Sequence, residues 1–195
     1  MPNGQTDRIA TSGPRADKGV AVLNNLVSSL PTGVKAEDKT RIGFEDYGPM
    51  TRTQSQFSEY AAGDLEVWEY MAYAAVVRAG APGVGELWIQ VETKGNTQVK
   101  GLPGCGSAIS RPYPVTGDGR CDVVDAGGKE VAVVTANSAE DGMEQAAFFR
   151  HEDGTLVIVA QSREYPNSGH PALAELPLTP QQLAAIAGDP KFHLD

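Results

Sequence analysis

Only two of the 195 residues are cysteine and three are histidine. A structural zinc site takes four ligands, usually from close Cys-x-x-Cys pairs, and fifteen residues lie between Cys105 and Cys121. His151, His170 and His193 show neither HExxH nor HxxxH spacing, so no metal centre is expected. A Cys-x-x-Cys redox motif is missing, as are a G-x-S-x-G elbow and a P-loop. The stretch "GVGELW" lacks the third glycine of a dinucleotide-binding turn. Carboxylate pairs such as Glu45-Asp46 and Glu152-Asp153 fall where turns or solvated faces predict them. The expectation is a non-enzyme, with no catalytic residue and no cofactor. Positive charge is also scarce: 16 Lys and Arg stand against 25 Asp and Glu, a net charge of −9. Such a surface repels phosphate backbones and anionic lipid, which argues against nucleic acid as a partner and against docking through a basic patch. No apolar run reaches the ~18 residues needed to span a bilayer. The opening "MPNGQTDRIATSGPRAD" has no apolar centre like that of a secretory signal. That leaves a cytosolic protein, or an exported one whose signal has been removed.

Hydrophobic residues make up 41% of the chain and charged residues 21%, enough for a core without help from metal. Both cysteines stand in "GLPGCGSAISRPYPVTGDGRC", a segment rich in Gly and Pro that fixes its own backbone poorly. A disulfide there would stabilise by about 3 kcal/mol in the chain-entropy model and would place the protein in an oxidising compartment. This pairing is the favoured reading; two free buried thiols are the alternative.

The spacing along the chain predicts a flexible leader over 1–16 and a single α+β domain over 17–195. In "DKGVAVLNNLVSSLP", Val20, Leu23, Leu26, Val27 and Leu30 share a helical face, with Asp17 as N-cap and Pro31 and Gly33 as the stop. The region 34–70 is harder to read; "TQSQFSEY" alternates weakly as a half-exposed strand does, and "LEVWEYMAYAAVV" fits helix or strand, with strand preferred. As a strand it places Leu65, Val67 and Glu69 on one face and Glu66, Trp68 and Tyr70 on the other. "AYAAVV" and "LWIQVETK" form a hairpin across a Gly/Pro-rich loop, and "CDVVD" and "KEVAVVTA" join through Gly127-Gly128. "MEQAAFFRHEDGTLVIVAQSRE" reads as a hairpin with a type I′ turn at Asp153-Gly154. That turn would set Phe149 opposite Ile158 and Phe148 opposite Val159, with His151 exposed near the tip. Apolar residues on both faces mark a central strand. Thr179, Pro180 and Gln182 make a capping box for a last helix that buries Leu183, Ile186 and Ala187. The order is helix, antiparallel strands, helix: an α+β fold, a mainly antiparallel sheet with an amphipathic N-terminal helix and a short C-terminal one packed on it.

Five stretches carry a family resemblance: "LVSSLPTG", "AYAAVVRAGAPGVGELWIQV", "CDVVDAGGKEVAVVTA", "FFRHEDGTLVIVAQS" and "LTPQQLAAIAGDPKF". The most specific is L-T-x-x-Q-L-x-x-I-A-x-D-P, from Leu178 to Pro190. Over residues 17–193, with 34–70 fitting least, the chain resembles extracytoplasmic domains of actinobacterial, Streptomyces-type lipoproteins and single-pass membrane proteins. Some of these are cell-envelope stress regulators. The resemblance implies export, a membrane anchor upstream of residue 1 on the outer face of the cytoplasmic membrane, and a sensing or protein-binding role. It supplies no catalytic residues.

The expected function is therefore a regulatory binding module whose partner is another envelope protein. The alternative is a solute-binding lipoprotein with a pocket between sheet and helix. Aromatics among acids and turn residues, Tyr47, Tyr60, Trp68 and Tyr70, are the expected partner-binding residues, because interfaces gain most from a few large aromatics. The rival reading packs them into the sheet. His170, in the loop "PNSGHP", could line a site.

Overall fold

The structure, a computed structural model, describes residues 9–58, 66–96, 105, 114–115, 119–138 and 142–194. Helix α1 (Gly13–Ser28) is followed by β1 (Val34–Ala36), β2 (Arg52–Phe57), β3 (Trp68–Arg78) and β4 (Gly85–Glu92). Then come β5 (Gly119–Asp125), β6 (Glu130–Ala136), β7 (Gln145–Arg150), β8 (Leu156–Ser162) and helix α2 (Pro180–Ala187). All strand pairings are antiparallel. The sheet order is β1-β3-β4-β8-β7-β6-β5, and β2 pairs with the same edge of β3 as β1. The fold is thus α+β, as the pattern predicts. Two meanders, β2-β3-β4 and β5-β6-β7-β8, meet where β4 pairs with β8.

Strand alternation explains the two larger of three buried clusters among the described residues. Tyr70, Ala72, Leu87, Ile89, Val157, Val159, Val131 and Val133 face both helices, which contribute Val22, Leu26, Leu183 and Ile186. Met71, Trp88, Phe148, Ile158 and Val134 form a second apolar layer on the opposite face, with Val115. β4 and β8 are buried along their whole length, as a sheet covered on both sides requires.

Helix α1 starts at Gly13, four residues before the expected cap at Asp17, with Pro14 in its first turn. Ahead of it, Ile9 bridges to Gln56, and the Ala10 N–H donates to the Ser55 carbonyl at 2.8 Å. The buried stripe is Gly19, Val22 and Leu26, whereas Val20 and Val27 are 47% and 41% exposed. The cause is Gly19: a Cβ there would meet the Ser55 hydroxyl at 2.5 Å. The helix approaches β2 on its glycine face and rotates the two valines outward. Helix α2 follows expectation closely. Thr179 Oγ1 accepts from the Gln182 N–H at 3.2 Å and Gln182 Oε1 from the Thr179 N–H at 2.9 Å.

The hairpin at Gly154 departs by one residue. Phe149 faces Val157 and Phe148 faces Ile158. The His151 N–H donates to the Thr155 carbonyl and the Gly154 N–H to the His151 carbonyl, with Gly154 at φ +96°. This is the three-residue connection, a turn closed by a glycine bulge, rather than the two-residue type I′ turn. The Asp153 carboxylate decides it by accepting from the Thr155 N–H at 3.0 Å and its hydroxyl at 3.2 Å. Cys105 and Cys121 are joined by a disulfide, with Cα atoms 5.8 Å apart. The bond marks a protein of an oxidising, extracytoplasmic environment.

Candidate functional site

The segment between β1 and β2 returns on itself. Thr40 bridges to Pro49 and the Met50 N–H donates to the Lys39 carbonyl at 2.8 Å, which closes the base of a loop over 41–48. Gly43 and Gly48, both at φ +81°, let the chain turn sharply around a 3-10 turn, Glu45–Tyr47. The Glu45 carboxylate accepts from the Gly43 N–H at 2.9 Å. That bond and its own N–H hold its pKa below the ordinary carboxylate value. The loop carries its apolar residues outward: Ile42, Phe44 and Tyr47 are 55%, 58% and 84% exposed. The Phe44 and Tyr47 rings lie 6.1 Å apart at 55°.

A second loop, after β8, clamps this one. The Ser168 carbonyl accepts from the Ile42 N–H at 2.8 Å, and the Tyr165 hydroxyl donates to the Met50 carbonyl at 3.0 Å. His170 Nε2 lies 2.8 Å from the Thr40 carbonyl; because a carbonyl only accepts, Nε2 carries the proton. The clamp also lies against the turn before β4, where the Val84 N–H donates to the Pro171 carbonyl at 2.8 Å. Gly83, at φ +108°, is required there, since a Cβ would run into the Ala172 carbonyl.

Between these loops and the end of β3 lies a cleft of about 460 Å³, lined by Lys35, Glu37, Lys39, Arg78, His170 and the turn after β3. Glu37 pairs with Lys39 at 3.1 Å and the exposed Glu175 with Arg78 at 3.2 Å. Among the described residues no carboxylate pairs with Lys35. Lys39 and His170 line the cleft, and they also hold the base of the aromatic loop through the Lys39–Met50 and His170–Thr40 bonds, so the loop springs from the edge of the cleft.

The expected partner-binding residues divide. Among the described residues Tyr47 is the most exposed of the large apolar side chains. Tyr60 lies outside the described residues. Tyr70 is fully buried, so its ring does not reach the surface. Trp68 is half-buried and engaged within the chain: it stacks on Tyr70, meets Phe57 edge-on, lies under the Arg15 guanidinium at 4.8 Å, and its indole N–H donates to Glu66. Arg15 also donates to the Tyr70 hydroxyl at 2.8 Å. These aromatics staple the start of α1 to β2 and β3. Ile42 and Lys35 stand at this site without having been singled out, and Phe44, an aromatic of the same acidic stretch, was not among the four expected residues. The signal for Ile42 and Phe44 was "RIGFEDYG", apolar residues flanking Gly43 with no alternation to bury them; Lys35 carried none.

No family model, curated protein or solved structure matches the chain.

Other polar groups are held by the fold. Glu69 and Glu92 face each other across β3 and β4, both buried. Gln56 and Ser58 donate to Glu69 at 2.7 and 2.9 Å, and Gln90 to Glu92 at 2.6 Å. Burial pushes the Glu86 carboxyl up to about 7, against the pull of Arg52 and Arg41. His151 is not exposed as expected. It is half-buried, stacked on His193 at 4.4 Å, and His193 reaches Asp153 at 2.8 Å. Burial, then His193 and Lys129, lower its pKa, with Asp153 opposing. Among the described residues no group of three metal-ligating side chains converges.

Proposed function

We propose that the chain is a non-catalytic, exported protein-binding module, anchored upstream of residue 1 at the outer face of the cytoplasmic membrane, with a sensing or regulatory role in the cell envelope. The observation that carries this reading is the exposed Ile42, Phe44 and Tyr47 on a loop whose base is closed by backbone bonds. Holding large aromatics rigidly in water gains nothing in the free chain, and it prepares them for burial against a partner. The layer between helices and sheet is filled by Val22, Leu26, Tyr70, Leu183 and Ile186, which weighs against a solute pocket there. The disulfide supports export.

A photo-crosslinking residue at position 47, in the anchored protein in its native envelope, tests the reading. The expected result is a discrete crosslinked species that is absent when the probe replaces Val123, exposed on β5, and that disappears with Phe44→Asp. Equal crosslinking at both positions contradicts it.

A further inference from the structure

We propose that the cleft seats a carboxylate from an acidic, extended segment of the partner protein, while Phe44 and Tyr47 cover an apolar residue beside it. This rests on the protein-binding reading and specifies the partner's chemistry. In a chain of net charge −9, three cations around one cleft with a single lining acid is a local reversal of sign. Lys35 has no carboxylate partner among the described residues. The ion pair of Arg78 is exposed, with Glu175 80% accessible, and exposed pairs are worth little. An incoming carboxylate can displace Glu175 from an arginine that the Leu176 carbonyl continues to orient at 3.3 Å. The walls are already in place, fixed by the backbone contact at Gly83 and by the bond between His170 and Thr40, so little ordering remains to be done on binding. A small free acid would leave Phe44 and Tyr47 in water. An anionic bilayer would be repelled by the rest of the acidic surface.

The test is selection of short random displayed peptides on the full chain, followed by affinity measurements on the selected peptides. The expected peptides carry Asp or Glu beside Leu, Phe or Tyr, and bind less tightly as salt rises. They lose about tenfold or more in affinity, a change of about 1.4 kcal/mol, on Lys35→Glu and also on Phe44→Asp. Both variants alter exposed side chains and keep the wild-type melting temperature; Lys35→Gln replaces the charge reversal if it perturbs folding. Selected peptides that need Phe44, lack acids and ignore Lys35→Glu overturn the acidic segment and leave the protein-binding reading standing. Peptides indifferent to both changes, together with Lys35-dependent binding of succinate, overturn both. Lys35-dependent binding to phosphatidylglycerol vesicles overturns the proposal in favour of a lipid headgroup.

Discussion

Glu86 sits in β4 between Ala75 and Ser162 on the neighbouring strands, and its carboxyl makes no hydrogen bond among the described residues. Its pKa of about 7 has a definite sign for stability. Between pH 4.5 and 7 the folded chain holds a proton that the unfolded chain has released, so this residue's contribution falls as pH rises through that window. Glu86→Gln is therefore expected to be more stable than wild type at pH 8 by roughly 1–3 kcal/mol and little different at pH 4.5; urea midpoints at the two pH values check it. Two aromatics make a second contrast. Trp68 is stacked, capped by Arg15 and packed on the core, so Trp68→Ala is expected to cost about 3 kcal/mol, the low end for a buried aromatic. Tyr47→Ala, at a side chain 84% exposed, should leave the melting temperature within experimental error. Thermal melts of the two variants side by side decide the matter.

At the scale of elements, Gly154→Val is expected to cost roughly 1–3 kcal/mol, because a β-branched residue is held at φ +96° in a sparsely populated region; an unchanged urea midpoint would refute the turn assigned here. This hairpin also shows what the sequence discloses. The turn signal Asp153-Gly154 located the hairpin, but the register rests on the Asp153 carboxylate accepting from Thr155, a choice between two turn types that both accept Asp-Gly. The capping box of α2 was legible in full because every group in it is local. The face of α1 was legible only in part: Leu23, Leu26 and Leu30 pack on the core as the spacing predicts, while the outward turn of Val20 and Val27 depends on Gly19 meeting Ser55 on β2. β3 is one strand of 11 residues, where the sequence left helix and strand both open. Its acid at Glu69 interrupts the apolar pattern and is accommodated only through Gln56 and Ser58.

For the molecule as a whole, two meanders share one sheet, and each has a helix over it: α1 on β2, β3 and β4, and α2 on β5 to β8. The loops that extend from the β1 edge are anchored by a small buried cluster of Met50, Ala75, Val84 and Tyr165, while Ile42, Phe44 and Tyr47 stand outside the core. That separation explains why the site was only half legible. Tyr47 could be named from its company of acids and turn residues. The seating of its loop beside the cleft depends on the bonds of Ser168 to Ile42 and of His170 to Thr40, contacts between distant segments that no spacing discloses. In the proposed function this surface, and not the stapled Trp68 and Tyr70, meets the partner. Hydrogen exchange of the full chain, free and bound to the protein crosslinked through position 47, tests it most directly. Protection is expected to concentrate in 39–48 and 168–171, with 66–70 unchanged. Protection confined to 66–70 or to the outer strand β5 would contradict it.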